Sequence, residues 1–137
     1  MAAVRYLYAN GVLVADELYS FNCTIPAGTP VSAPVTIPMS MPARIVRRIT
    51  TIVARGPGDN MGFRVAVNGT QVIPVNNGAW LVEDDERNEW DRSGDIQSGA
   101  WQIVGYNTGV YPHTVTVRFE VDLPWRVGGG QPLPLAL

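Results

Sequence analysis

The amino-acid sequence predicts an all-β chain: an antiparallel β-sandwich or jelly roll of about eight to ten short strands, flanked by an N-terminal hairpin and an extended C-terminal tail. Three observations predict it. Apolar and polar residues alternate with period two over several segments, as in strands with one face buried and one wet. Asn-Gly steps, which supply the positive φ angles of a two-residue hairpin, sit between apolar runs. The 14 glycines and 11 prolines are spread so evenly that no window sustains a helical apolar period.

Taken in chain order, Asn10-Gly11 pairs Val4 to Ala9 with Val12 to Ala15. This hairpin is apolar on both faces, Tyr6 and Tyr8 on one and Leu7 on the other, opposite Val12, Leu13 and Val14. A two-stranded ribbon is marginal alone, so it is expected to pack against something. Next, Tyr19, Phe21, Cys23 and Ile25 alternate with Ser20, Asn22 and Thr24. Arg44 to Ala54 is a long β-branched run whose apolar face Arg47 interrupts. Met61, Phe63, Val65 and Val67 lead into Asn68-Gly69, which pairs Phe63 to Val67 with Thr70 to Pro74; a third Asn-Gly follows at Asn77-Gly78. Asn107-Thr108-Gly109 connects Trp101 to Tyr106 with His113 to Asp122, where Val115, Val117, Phe119 and Val121 alternate with polar residues.

The chain therefore divides into a hairpin arm at 1–18, a sandwich at 19–125 and a tail at 126–137. The tail opens with the joint Gly128-Gly129-Gly130 and continues as the apolar, proline-broken run Gln-Pro-Leu-Pro-Leu-Ala-Leu.

At 137 residues the chain has the size of one domain, and such a length buries roughly 68% of the surface its unfolded form exposes, so it can build a core without staples. The lone Cys23 forms no internal disulfide, and a zinc site of several cysteines is excluded. The run Val12 to Val14 is too short for a signal-peptide core, and no stretch approaches the ~20 apolar residues of a membrane-spanning helix. The chain reads as soluble, unprocessed and without a membrane partner. Its net charge is −2, with all ten cations arginine and scattered from Arg5 to Arg126, so no basic field exists to hold nucleic acid. A GC-rich coding genome explains the absence of lysine, and arginine also suits protein interfaces.

Catalytic raw material is thin, and no catalytic residue, metal ligand or cofactor is assigned. His113, the only histidine, follows Tyr111-Pro112 at a strand start and reads as a turn or surface residue. Cys23 lies on an apolar strand face and reads as a small buried hydrophobe. Neither a Gly-x-Ser-x-Gly elbow nor a phosphate-binding glycine pattern is present. The acidic run Glu83-Asp84-Asp85-Glu86, continuing through Glu89, Asp91 and Asp95, offers oxygens to calcium but fits no calcium-loop order, and Arg87 and Arg92 stand among the acids as ion partners. It is expected to be a solvated loop. Trp80 and Trp101 share a Gly-Ala-Trp context and are expected in the core, whereas Trp90 and Trp125 are the candidates for exposure to a partner or a glycan.

At Gly62 to Glu86 (GFRVAVNGTQVIPVNNGAWLVEDDE) and Ser98 to Val121 (SGAWQIVGYNTGVYPHTVTVRFEV) the sequence resembles small β-sandwich virion proteins of tailed bacteriophages with GC-rich hosts. The resemblance spans about residues 19–123 and carries over no functional residue. It implies a non-enzymatic capsid decoration protein, made in the host cytoplasm and placed on the outer surface of the virion. Such a protein partners itself, as a trimer or other cluster, and a major capsid protein, bridging neighbouring subunits. The alternatives are a tail-tip, baseplate or receptor-binding module, and a carbohydrate-binding module. The expected interface residues are Tyr6, Tyr8, Val12 and Val14 of the hairpin, Trp90, Trp125, and Leu133, Leu135 and Leu137 of the tail.

Overall fold

The computed structural model describes residues 2–9, 12–92 and 98–122, and the side chains of 17–92 and 98–122. These residues form nine strands: β1 (Ala2–Ala9), β2 (Val12–Ile25), β3 (Val35–Ser40), β4 (Val46–Val53), β5 (Met61–Val67), β6 (Thr70–Ile73), β7 (Glu86–Asp91), β8 (Ala100–Asn107) and β9 (His113–Asp122). They build two antiparallel sheets, in the orders β1-β2-β9-β4-β7 and β3-β8-β5-β6.

The pairing follows a simple nesting. β5 and β6 form a hairpin, and around it β4 pairs with β7, β3 with β8, and β2 with β9. The resulting ribbon of strand pairs rolls up so that β4 lies beside β9 and β5 beside β8. That rolled ribbon is a jelly roll.

The inner faces carry the period-two residues. Phe21, Cys23 and Ile25 of β2 meet Val115, Val117, Phe119 and Val121 of β9, and the facing sheet supplies Met39, Met61, Phe63, Val65, Trp101 and Ile103. Trp101 and Phe119 meet across the two sheets with ring centroids 4.9 Å apart. Each such side chain contributes about 1.5–3 kcal/mol relative to leaving it exposed. Gly105, also inward, makes room for Ile25: a Cβ there would lie 2.3 Å from Ile25 Cδ1.

The turns divide. Asn68 and Gly69 take φ values of 51° and 81° and join Val67 to Thr70 in register, as a type I′ hairpin requires. At Asn77-Gly78 only Gly78 has positive φ, at 88°, and Ala79 N–H donates to Asn76 O at 2.9 Å, so this step is a four-residue turn of type II character. No hairpin forms there, because Leu81 returns to bridge Phe63. The interruption at Arg47 is a β-bulge: β4 advances from Val46 to Arg48 while β9 advances only from Val121 to Glu120. Arg47 is thereby released from the inner face and forks onto Asp122, its Nε 3.1 Å from both carboxylate oxygens and its Nη2 2.9 Å from Oδ2.

One expectation is corrected. The charged segment 86–91 is a strand at the sheet edge, not a loop. Its composition is poor for a strand, but pairing with β4 turns Asn88 and Trp90 inward and leaves Arg87, Glu89 and Asp91 outward, and that fit overrides propensity.

Candidate interaction surface

β2 connects the sandwich to what leaves it. Its second half pairs with β9, ending at Asp16 opposite Asp122. Its first half pairs with β1 from Ala9↔Val12 to Ala2↔Tyr19, the register expected from the sequence, while Asn10 and Gly11 themselves lie outside the described residues. Among the described residues, Val12 to Ala15 therefore pair with β1 alone, and the ribbon extends past β9 by about 13 Å at the ordinary strand rise. Its root is held where Arg44 Nε donates to Glu17 Oε1 at 3.3 Å. The hairpin arm and the sandwich thus share one continuous strand, and residue 18 lies in its middle.

This geometry brings Tyr6, Tyr8, Val12 and Val14 together on one ribbon. Trp90 is at the opposite edge of the same sheet. It is half-buried against the core, and its Nε1 donates to Thr51 Oγ1 at 3.4 Å. Trp125, Leu133, Leu135 and Leu137 lie outside the described residues. Trp101 is in the core as expected, while Trp80 is half-buried over the outer face of the second sheet, with Arg64 3.6 Å from its ring centre and Tyr106 edge-on at 4.9 Å.

The outer face of the five-stranded sheet holds an ionic lattice that the linear sequence does not display. Cross-strand register aligns Leu18, Glu120, Arg48 and Asp91 in one row, and Ser20, Arg118, Thr50 and Glu89 in the next. Arg48 reaches Asp91 at 2.9 Å, Glu120 at 3.5 Å and Glu89 at 3.6 Å, and Arg87 reaches Glu89 at 3.4 Å. A crevice of about 280 Å³ lies between these groups and Arg118. The signal that could have found the lattice is the polar half of each alternating strand, once its neighbours are known.

The acidic run is dispersed rather than gathered. Glu83 is buried and accepts a hydrogen bond from Thr51 Oγ1 at 3.2 Å; burial pushes its carboxyl above the usual range. Asp84 accepts from Gly56 N–H at 2.8 Å, and the backbone N–H groups of Gly56 and Gly58 hold its carboxyl below that range. Glu89 and Asp91 belong to the outer lattice, and Asp95 lies outside the described residues. Among the described residues no group of three or more His, Cys, Asp and Glu is placed to hold a metal ion. Cys23 is buried, which pushes its thiol up to about 11. His113 is half-buried, with its ring against Gly56.

No family model and no curated protein matches the chain. Among solved structures it is similar to PliG of Aeromonas hydrophila, a periplasmic lysozyme inhibitor of g-type lysozyme. The TM-score is 0.39 at 14% identity, over 82% of this chain and 91% of that one. A likeness of this degree carries no functional argument.

Proposed function

We propose that the protein is a non-enzymatic structural component of a virion, a capsid decoration protein that braces the head by bridging neighbouring subunits. The observation that carries this reading is the β1–β2 ribbon, a continuation of the sandwich's own sheet that, among the described residues, runs past the end of β9. A jelly roll with its interior filled by side chains is a block for assembly, and the resemblance at 62–86 and 98–121 supplies the virion setting. Partners are other copies of the chain and a major capsid protein.

The experiment is reconstitution: purified protein is added to capsids that lack it, and both binding and solution mass are measured. Oligomers that bind the capsids support the reading; a monomer that leaves them bare removes it. Deleting 126–137 should leave the melting temperature unchanged and weaken assembly. A large drop in monomer melting temperature would instead make the tail part of its own core. Immunogold labelling of whole virions separates the head from a tail-tip position. The glycan reading has less support at Trp90, whose indole N–H is already bonded to Thr51.

A further inference from the structure

Among the described residues the jelly roll has four edge strands, and three of them are strongly blunted. β7 carries Glu86, Arg87, Glu89 and Asp91 among its six residues. β3 contains Pro38, and β6 is only four residues long. Charges, prolines and shortness are the ordinary means by which sheets avoid recruiting further strands. β1 is the least blunted of the four: eight residues, Ala-Ala-Val-Arg-Tyr-Leu-Tyr-Ala, with the single charge of Arg5 and no proline.

The register states which backbone groups this edge offers. A two-residue loop makes Ala9 and Val12 a hydrogen-bonded pair, and alternation then bonds Leu7, Arg5 and Ala3 to β2. The same parity follows from the far side, where Asp122 N–H donates to Ile45 O, so that Val121 faces β2 and Asp16 faces β1. The N–H and C=O groups of Ala2, Val4, Tyr6 and Tyr8 therefore point away from the sheet.

We propose that this open edge is a docking strip for Gln131–Leu137 of a neighbouring copy of the chain, added as an antiparallel strand. The sequence of that segment argues for it. Its prolines, Pro132 and Pro134, are two residues apart, so both missing N–H groups fall on the same side of an extended strand. Gln131, Leu133, Leu135 and Leu137 keep their donors on the other side. The segment can pair through one edge only, which makes it a terminator. Its spacing also matches, placing Leu137, Leu135, Leu133 and Gln131 opposite Ala2, Val4, Tyr6 and Tyr8. Residues 123–130, with their three glycines, can span up to about 27 Å, enough to leave the parent sandwich. That the tail comes from a neighbour rests on the assembly role proposed above, since a tail closing its own β1 would leave no joint.

Two measurements on the full-length chain test it. In sedimentation equilibrium, Leu133→Pro and Leu135→Pro, which remove donors on the pairing side, should weaken self-association at least tenfold with the melting temperature unchanged. Pro132→Ala and Pro134→Ala should change it less than twofold. Equal effects at both parities overturn the proposal. In the second, one tagged copy carries Val4→Cys and a differently tagged copy carries Leu135→Cys; the buried Cys23 stays out of the reaction. A disulfide between the two tags supports the pairing. Crosslinking of Val4→Cys only to itself overturns it in favour of a two-fold β1 contact, and linkage only within a doubly substituted chain overturns it in favour of the chain's own tail. Capsid binding without the hetero-disulfide sinks this pairing alone; the disulfide without capsid binding sinks the decoration reading alone.

Discussion

Where β2 finishes and β9 begins, the connections of the sandwich are tied to one another; at the opposite end the β1–β2 ribbon runs out beyond the last β9 residue. The tied end is organised by Asn107, which is fully buried. Its backbone exchanges hydrogen bonds with Thr29 at 2.8 and 2.9 Å, its amide donates to Ile25 O and Tyr111 O, and its Oδ1 accepts from Gly109 N–H. That end nevertheless displays apolar side chains, Val110 82% and Tyr111 70% exposed. The ribbon end offers something different, a row of directed backbone donors and acceptors. Exposed apolar side chains scattered singly are ordinary on any surface, whereas an unpaired strand edge specifies direction and register for whatever joins it. The proposed assembly role therefore belongs with the ribbon end, and the hydrogen bonds of Asn107 give the tied end its part in stability.

The largest expected effect tests that division. Asn107→Leu leaves two carbonyls and one N–H without their partner and should cost about 3 kcal/mol or more, read as a lower melting temperature. The folded fraction should still self-associate as the parent does; lost association at full folding would break the comparison. Gly105→Ala, whose new Cβ collides with Ile25 between the sheets, should cost about 2 kcal/mol and likewise spare association.

A smaller effect comes from Glu83, near neither end. Its carboxyl has a raised pKa because it is buried, so the folded protein holds that proton more tightly than the unfolded chain. Its stabilising contribution is complete below the ordinary carboxylate range and is lost as pH rises through the raised value. Glu83→Gln should therefore melt higher than the parent at pH 8 and close to it at pH 4; a constant offset across pH would contradict this. The smallest effect is expected at Tyr111→Ser, where self-association measured by sedimentation should match the parent. Weakening there would move the interface to the tied end.

Much of the sandwich was legible because burial of one sheet face forces period two on the residues themselves. Tyr19 to Ile25, Met61 to Val67 and Val115 to Val121 needed only their own alternation, and Asn68-Gly69 announced its turn through the positive φ both residues adopt. β7 was not legible, since Glu-Arg-Asn-Glu-Trp-Asp becomes a strand only when β4 offers its edge and Arg48 its charge. Arg47 was visible as an anomaly, but the bulge that resolves it depends on Asp122, which lies far along the chain. The sequence pointed to the hairpin by its apolar faces, and it expected Trp90 to be exposed where the structure has it half-buried, because whether a tryptophan points outward depends on which neighbour occupies the next strand.

By itself the sequence determined what is local: an all-β chain, the strand faces, and the tight turn at Asn68-Gly69. Only the tertiary structure decided which strands nest, that β2 continues from ribbon into sandwich, and that β1 is the least blunted edge among the described residues. The reason is that a side-chain pattern repeats every second residue and is read along the chain, while an edge is defined by the absence of a neighbour.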